Sequence, residues 1–241
     1  MTQRSRDAGL SPARVRRRRC AFVLAACLVL ASADAGAQDL LARLSAAAPR
    51  LDRKVLALAL EASDCATSVH VVKRPSRLAV IDYTRPSTQK RLWIFDLDKG
   101  VLLQEEYVAH GRGSGGDLPT QFSNTDGSYQ SSLGLFAGAE TYQGENGYSL
   151  RLDGLEPGIN DHARARLLVM HGASYVDPVQ AQKQGRLGRS WGCPAVRPAV
   201  AHEVIDSLKQ GQLVFAYASD AAWLDGSRFL HCEKPERSAA R

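Results

Sequence analysis

Two short segments of the 241-residue chain carry side chains whose types and setting could do covalent chemistry. In Gly188-Arg189-Ser190-Trp191-Gly192-Cys193-Pro194-Ala195-Val196 a cysteine follows a flexible glycine and precedes a proline that donates no hydrogen bond. Backbone of that composition can turn tightly and leave N–H groups pointing outward. A thiolate attacks a carbonyl carbon well, and a neighbouring imidazole can draw a thiol pKa from about 8.5 into a range of roughly 3.5–7.5. Outward N–H groups near Gly192 and Cys193 would meet the oxyanion that forms, at about 3–4 kcal/mol per donor. The imidazole is offered by Leu167-Leu168-Val169-Met170-His171-Gly172, which reads as a buried strand that delivers a histidine where the chain meets a glycine and turns. That placement suits a base held on a rigid element. As residue types alone, one histidine and one cysteine are more often packing or disulfide residues, so the rest of the chain has to decide.

The other cysteines depend on where the mature chain begins. Arg14, Arg16, Arg17, Arg18 and Arg19 precede an apolar run from Cys20 to about Ala31, and Ala35-Gly36-Ala37 follows. This reads as a secretory signal over residues 1–37, cleaved after Ala37 so that the mature chain starts at Gln38. The run is shorter than the roughly 20 residues of a membrane span, so no stable span is expected after cleavage. Leu24-Ala25-Ala26-Cys27 also fits a lipoprotein signal, and that form stays open. Residues 1–37 hold seven Arg and two Asp, which is +5 of the formal +6, leaving about +1 for the mature part and implying no nucleic-acid partner. Cys20 and Cys27 leave with the signal, and Cys65, Cys193 and Cys232 remain. In an oxidising compartment two of three can pair. A Cys65–Cys232 bridge would tie the two ends of the domain together for roughly 2–4 kcal/mol and leave Cys193 as the free thiol. The alternative, Cys193 in the bridge and another cysteine spare, is left open by the sequence.

These residues need elements to position them. From Leu51 to Ala62 the apolar residues Leu51, Val55, Leu58, Ala59 and Ala62 recur at helical spacing. After it come β-branched and aromatic runs punctuated by Gly, Asn, Asp and Pro: Leu78–Tyr83, Arg91–Leu97, Val101–Ala109, Leu133–Phe136, Tyr148–Leu152, Leu167–Met170 and Leu213–Tyr217. Asp98-Lys99-Gly100 reads as a hairpin turn. Pro198–Gln210 reads as a later helix, with Val200, Val204, Ile205 and Leu208 on one face and Gly211 as its stop. Strands dominate without regular strand–helix alternation, so the expected fold is mainly β, a sandwich or barrel with a few helices and a short N-terminal helical segment. The expected organisation is a helical segment and linker over 38–77, one catalytic domain over 78–232, and a polar tail over 233–241 that frays. A monomer is expected.

His-Gly, a spacer, and Ser-x-Gly-Cys resemble the L,D-transpeptidase catalytic domain family (YkuD-like), and the wider context resembles its murein L,D-transpeptidase branch. The similarity runs through Arg91-Leu92-Trp93-Ile94-Phe95-Asp96, Val108-Ala109-His110-Gly111-Arg112-Gly113-Ser114-Gly115-Gly116, Gly127-Ser128-Tyr129-Gln130-Ser131-Ser132-Leu133-Gly134, Glu140-Thr141-Tyr142-Gln143-Gly144 and Gly185-Arg186-Leu187-Gly188-Arg189-Ser190-Trp191-Gly192-Cys193-Pro194-Ala195. Several motifs in one order, over most of residues 78–217, make it specific. The resemblance implies Cys193 as nucleophile, His171 as its base, and the Gly172 carbonyl as the group that orients the imidazole. Ser190 matches the Ser or Thr of the motif and shapes the loop, or makes only a local turn bond. Three departures bear on substrate preference more than on the thiol chemistry: Trp191 stands where many relatives have His, Arg197 follows the cysteine by four residues instead of two, and the His-to-Cys spacer is longer than usual.

What the resemblance implies about function is a thioester on Cys193, formed on peptidoglycan stem peptides after the L-centre of a diaminopimelate with loss of terminal D-Ala. The amine of a second stem then gives a cross-link; water in its place gives an L,D-carboxypeptidase, and a protein amine gives anchoring. A peptidoglycan-binding module that keeps the fold without catalysis is the contrasting reading, opposed by the presence of both His171 and Cys193. A papain-type endopeptidase is opposed by chain order, since here the histidine comes first. The protein is expected in the periplasm or cell envelope, without a cofactor.

Weaker candidates complete the reading. Gly111-x-Gly113-x-x-Gly116 formally matches a dinucleotide fingerprint, but no long helix follows, and it reads as a mobile loop on the substrate side. His110, Arg112, Ser132, Tyr142 and Arg189 are candidates to touch substrate, with solvation or strand packing as the plainer roles. Tyr148 has the same two readings. His202 falls on the polar side of the late helix, and His70, His162 and His231 have no companion at metal-ligand spacing, so no metal site is expected.

Overall fold

The computed structural model describes residues 38–232. The expected signal, its lipoprotein alternative and the tail lie outside the described residues. Five helices and eight strands follow in the order α1 (38–47), α2 (Arg53–Ser68), β1 (Arg77–Asp82), β2 (Leu92–Asp96), β3 (Val101–Glu106), β4 (Gly134–Gly144), β5 (Gly147–Gly154), β6 (Val169–Gly172), α3 (Pro178–Gln184), β7 (Ala195–Val196), α4 (Pro198–Leu208), β8 (Leu213–Tyr217) and α5 (Ala221–Gly226). A short 3-10 turn spans Arg112–Ser114. The strands form one sheet in the order β3-β2-β1-β8-β4-β5-β6-β7. Pairing is antiparallel except for β1 with β8 and β6 with β7.

The two ends of this sheet meet, because the chain that leaves β3 runs along β7. Ala109 N donates to the Ala195 carbonyl at 2.8 Å, Ser190 N to the His110 carbonyl at 3.0 Å and Arg112 N to the Ser190 carbonyl at 2.8 Å. The sheet is therefore nearly closed, and the mainly β expectation holds. Closure leaves few unpaired edges and brings the glycine-rich stretch after β3 against the loop that carries Cys193.

Helix α2 starts where Asp52 accepts from Lys54 N at 2.7 Å, satisfying one of the free N–H groups of the first turn. Val55, Leu56, Ala59, Ala62 and Ala66 are buried on one face, which packs against β1 and β8. The helix runs six residues beyond the expected end at Ala62, and a disulfide joins Cys65 near its end to Cys232. Every residue of β2 and β8 is buried, so both read as continuous apolar runs instead of alternating ones. In α4, Pro198 opens the first turn and Ala201, Val204, Ile205 and Leu208 bury against β6, β5 and β1. A Cβ at Gly172 would lie 2.8 Å from Ala201 Cβ, so the glycine after His171 is what lets α4 sit this close to β6. No described helix is long and apolar enough to cross a membrane.

Candidate active site

His171 lies on β6, and Cys193 lies in the loop that leads into the neighbouring β7. In the parallel β6–β7 pair, His171 lies opposite Ala195, two residues after Cys193. Cys193 Sγ accepts from Val169 N at 3.4 Å and lies 3.8 Å from the Leu167 carbonyl. The sulfur thus sits against β6 two residues ahead of His171, about 6.6 Å along the strand. Val169 and His171 side chains share one face of β6 by the two-residue period. Cys193 is free and partly exposed, since the bridge takes the other two described cysteines.

The imidazole is buried and held by its own strand end. His171 Nδ1 is 3.0 Å from the Gly172 carbonyl. A carbonyl only accepts, so Nδ1 carries the proton and Nε2 keeps its lone pair. Burial pushes the His171 pKa below the ordinary histidine value, against a smaller upward pull from that carbonyl. Burial also pushes the Cys193 thiol up, opposed by the Val169 N–H, the Arg166 charge and its own backbone N–H. Both groups are therefore neutral at rest near pH 7: a protonated thiol, and an imidazole whose Nε2 keeps its lone pair.

The Cys193 loop is tied by hydrogen bonds at Ser190, Gly192 and Cys193. Ser190 Oγ donates to the Cys193 carbonyl at 2.7 Å and accepts from Gly192 N at 3.0 Å. Ser131 Oγ donates to the Gly192 carbonyl at 2.9 Å. The expected oxyanion role for the Gly192 N–H does not hold, because Ser190 occupies it; the loop amide left beside the sulfur is that of Cys193. Gly192 itself has φ +133, a conformation that side chains rarely adopt. Trp191 stands 71% exposed at the rim.

The glycine-rich segment is packed, which corrects the mobile reading. A Cβ at Gly111 would lie 2.3 Å from the Tyr129 carbonyl and 2.8 Å from Gly192 Cα, and one at Gly113 2.4 Å from the Ser128 carbonyl. Gly111 and Gly113 serve close approach to the Cys193 loop and to the segment before β4. The structure buries His110 and Ser132, both candidates to touch substrate. His110 is buried, its Nδ1 accepting from Arg91 at 2.7 Å, and burial followed by the Arg91 charge lowers its pKa to about 3. Ser132 is buried, donating to the Ser123 carbonyl at 2.7 Å and accepting from Arg166 at 2.7 Å. Tyr142 lies on β4 opposite Ser149, which in turn pairs with His171, and the Arg151 guanidinium covers its ring at 4.5 Å. Tyr148 stacks on His202 with ring centres 4.6 Å apart and donates to Asp206 at 2.7 Å. Arg197 is paired with Glu106, fastening the start of α4 to the end of β3.

Residue reading missed two arginines. Arg166 donates to the Ser123 and Gln130 carbonyls and to the Ser132 and Ser128 hydroxyls at 2.6–3.1 Å, clamping the segment before β4, and its charge reaches Cys193. Arg91 is fully buried without a carboxylate partner, donating to the Val108 and Arg85 carbonyls and to His110. Arg91 entered only as the first residue of an apolar strand, and Arg166 offers only a cation just before a buried strand.

A model of the L,D-transpeptidase catalytic domain matches residues 47–217. The chain belongs to the L,D-transpeptidase catalytic domain family. No curated protein matches it in sequence. Among solved structures, an L,D-transpeptidase from Mycobacterium smegmatis is similar at 15% identity and TM-score 0.36, with 59% of each chain covered. An L,D-transpeptidase from Stackebrandtia nassauensis is similar at 14% identity and TM-score 0.37, with 68% of each chain covered. Bd1075 of Bdellovibrio bacteriovorus is similar at 15% identity and TM-score 0.38, covering 61% of this chain and 49% of that one. This L,D-transpeptidase family chain spans about three-fifths of the length of the Mycobacterium smegmatis enzyme.

Proposed function

We propose that the protein is a cysteine-dependent L,D-transpeptidase acting on peptidoglycan stem peptides in the cell envelope, with Cys193 as nucleophile and His171 as base. The observation that carries this reading is a free, partly exposed thiol beside a strand whose buried imidazole has Nδ1 committed to the Gly172 carbonyl. Nε2 is then the atom able to take a proton. Rotation about the Cys193 Cα–Cβ bond swings the sulfur from Val169 toward His171, a tightening of the kind that substrate binding often completes.

As the thiol proton passes to Nε2, sulfur bonds to the carbonyl carbon of the donor stem, and the oxyanion meets the Cys193 N–H. The C–N bond breaks, and the imidazolium gives its proton to the leaving D-Ala amine. The thioester is then attacked by the side-chain amine of a second stem; His171 takes a proton from that amine, and the thiol returns. Water in place of the amine gives a carboxypeptidase by the same steps.

Incubation of the protein, freed of residues 1–37, with a disaccharide-tetrapeptide tests this by mass spectrometry. Cross-linked dimers with loss of one D-Ala per bond are expected, and they should vanish in Cys193→Ala. Trimmed monomers alone would replace transfer by hydrolysis, and neither product from folded protein would overturn the enzymatic reading.

A further inference from the structure

The rim of the Cys193 loop gathers guanidinium groups that no carboxylate answers. Arg50, Arg74, Arg151, Arg164 and Arg197 each hold an acidic partner elsewhere. Among the described residues, none of the ion pairs involves Arg112, Arg186 or Arg189. They are also close together: Arg189 Nη1 donates to the Gly115 carbonyl at 2.7 Å and the Arg112 carbonyl at 3.3 Å. After burial, the charges of Arg186 and Arg112 are what depress the Arg189 pKa. Gathering like charges costs free energy that an incoming anion would relieve.

A second, independent feature lies at the same place. Trp191 is 71% and Tyr129 40% exposed, with ring centres 5.8 Å apart at a steep angle. The Arg112 guanidinium covers the Tyr129 ring at 4.2 Å and the Trp191 ring at 5.7 Å, so its plane is braced while the residue stays exposed. Tyr129 is held at φ +55, a conformation costing about 1–3 kcal/mol in a non-glycine residue and kept only where surroundings impose it. Gly113 N fixes it by donating to its carbonyl at 2.9 Å. The contacts of Gly111 with Tyr129 and Gly192 make this rim one piece with the nucleophile loop.

We propose that Arg112 and Arg189, with Trp191 as the adjoining wall, form a preorganised site for a carboxylate of the acidic peptide that enters the Cys193 groove. The proposal rests on stem peptides being the substrate, and it adds what selects among them. Guanidinium binds carboxylate through paired N–H donors, and bracing by the aromatic rings lowers the ordering cost of binding. Stems with that carboxylate free are then held, and stems with it amidated are discriminated against.

The test reads binding in Cys193→Ala, so that turnover plays no part. Trp191 fluorescence is titrated with a stem tetrapeptide and with versions amidated at one carboxylate at a time. One amidation is expected to weaken binding about tenfold or more, a loss of about 1.4 kcal/mol. Arg112→Gln should erase that preference, Arg112→Lys keep part of it, and Arg112→Glu reverse it, each with an unchanged melting temperature because the side chain is exposed. Equal binding of every amidated form, no binding of the acidic stem, or a preference that survives Arg112→Gln would overturn the proposal. Failure of catalysis would show separately, as absent products from the wild-type chain that still binds.

Discussion

At the scale of single residues, Cys193 is held between opposed effects. Burial keeps the proton on sulfur, while the Val169 N–H and the Arg166 charge favour the thiolate. Arg166 also clamps the segment before β4, so charge and clamp have to be separated. Arg166→Met should raise the pH midpoint of iodoacetamide alkylation of Cys193 and slow it several-fold at pH 8, whereas Arg166→Lys, keeping the charge, should follow the wild-type curve. Identical curves for wild type and Arg166→Met would show that the guanidinium acts on the loop alone. His171 has its own signature. Because burial lowers its pKa, the imidazole stays neutral into mildly acid solution, and the acid limb of kcat/KM should fall below the ordinary histidine value of about 6.5. A limb at or above that value would mean the base titrates as an exposed histidine.

At the scale of elements, the site depends on how closely α4 packs on β6. Gly172→Ala places a methyl group 2.8 Å from Ala201 Cβ. It should cost about 1–3 kcal/mol and misplace the carbonyl that orients His171. Gly172→Ala with Ala201→Gly should recover most of both stability and kcat/KM, as a double-mutant cycle would show; a pair no better than the single variant would place the defect elsewhere. The same elements explain what residue patterns revealed. The expected strands at Leu78–Tyr83 and Leu213–Tyr217 match β1 and β8 closely, because buried strands here are unbroken apolar runs. The expected Leu167–Met170 strand is displaced: Leu167 takes φ +56 and the strand starts only at Val169, carrying on through His171. No hydropathy pattern signals a left-handed leucine. The expected Leu133–Phe136 strand stops short of Gly144, since Gly138 and Gly144 break its apolar run. Gly138 is required by α4, whose Leu208 carbonyl would lie 1.9 Å from a Cβ there. The two-residue β7 and seven-residue α3 carry too few residues for any period to show. The strand that ends at His171 and the glycine–proline turn around Cys193 follow from local composition, whereas the Ser190 bond that takes up the Gly192 N–H depends on loop conformation.

At the scale of the molecule, the sheet closes through buried polar groups. Arg91 and His110 pin the stretch after β3 that pairs with β7, and the Cys65–Cys232 bridge ties α2 to the end of the described chain. His110 has a folded pKa of about 3 against about 6.5 unfolded, so the unfolded chain binds the proton first. Its contribution is complete above pH 6.5 and is lost as pH falls toward 3, at about 1.4 kcal/mol per pH unit. Urea midpoints between pH 7 and 4 should therefore fall more steeply in wild type than in His110→Gln. The comparison isolates this histidine from Asp82 and Glu156, whose burial-raised carboxyl pKa values favour the fold at low pH and lose that contribution as pH rises. Parallel slopes would contradict a neutral buried His110. The proposed function rests on one thiol, and its most direct measurement is intact-protein mass after exposure to a carbapenem, with peptide mapping of the adduct. The wild-type chain should gain a single adduct on Cys193, His171→Gln should gain it at least a hundredfold more slowly, and Cys193→Ala should gain none. An adduct on another residue, or one that persists in Cys193→Ala, would contradict the account.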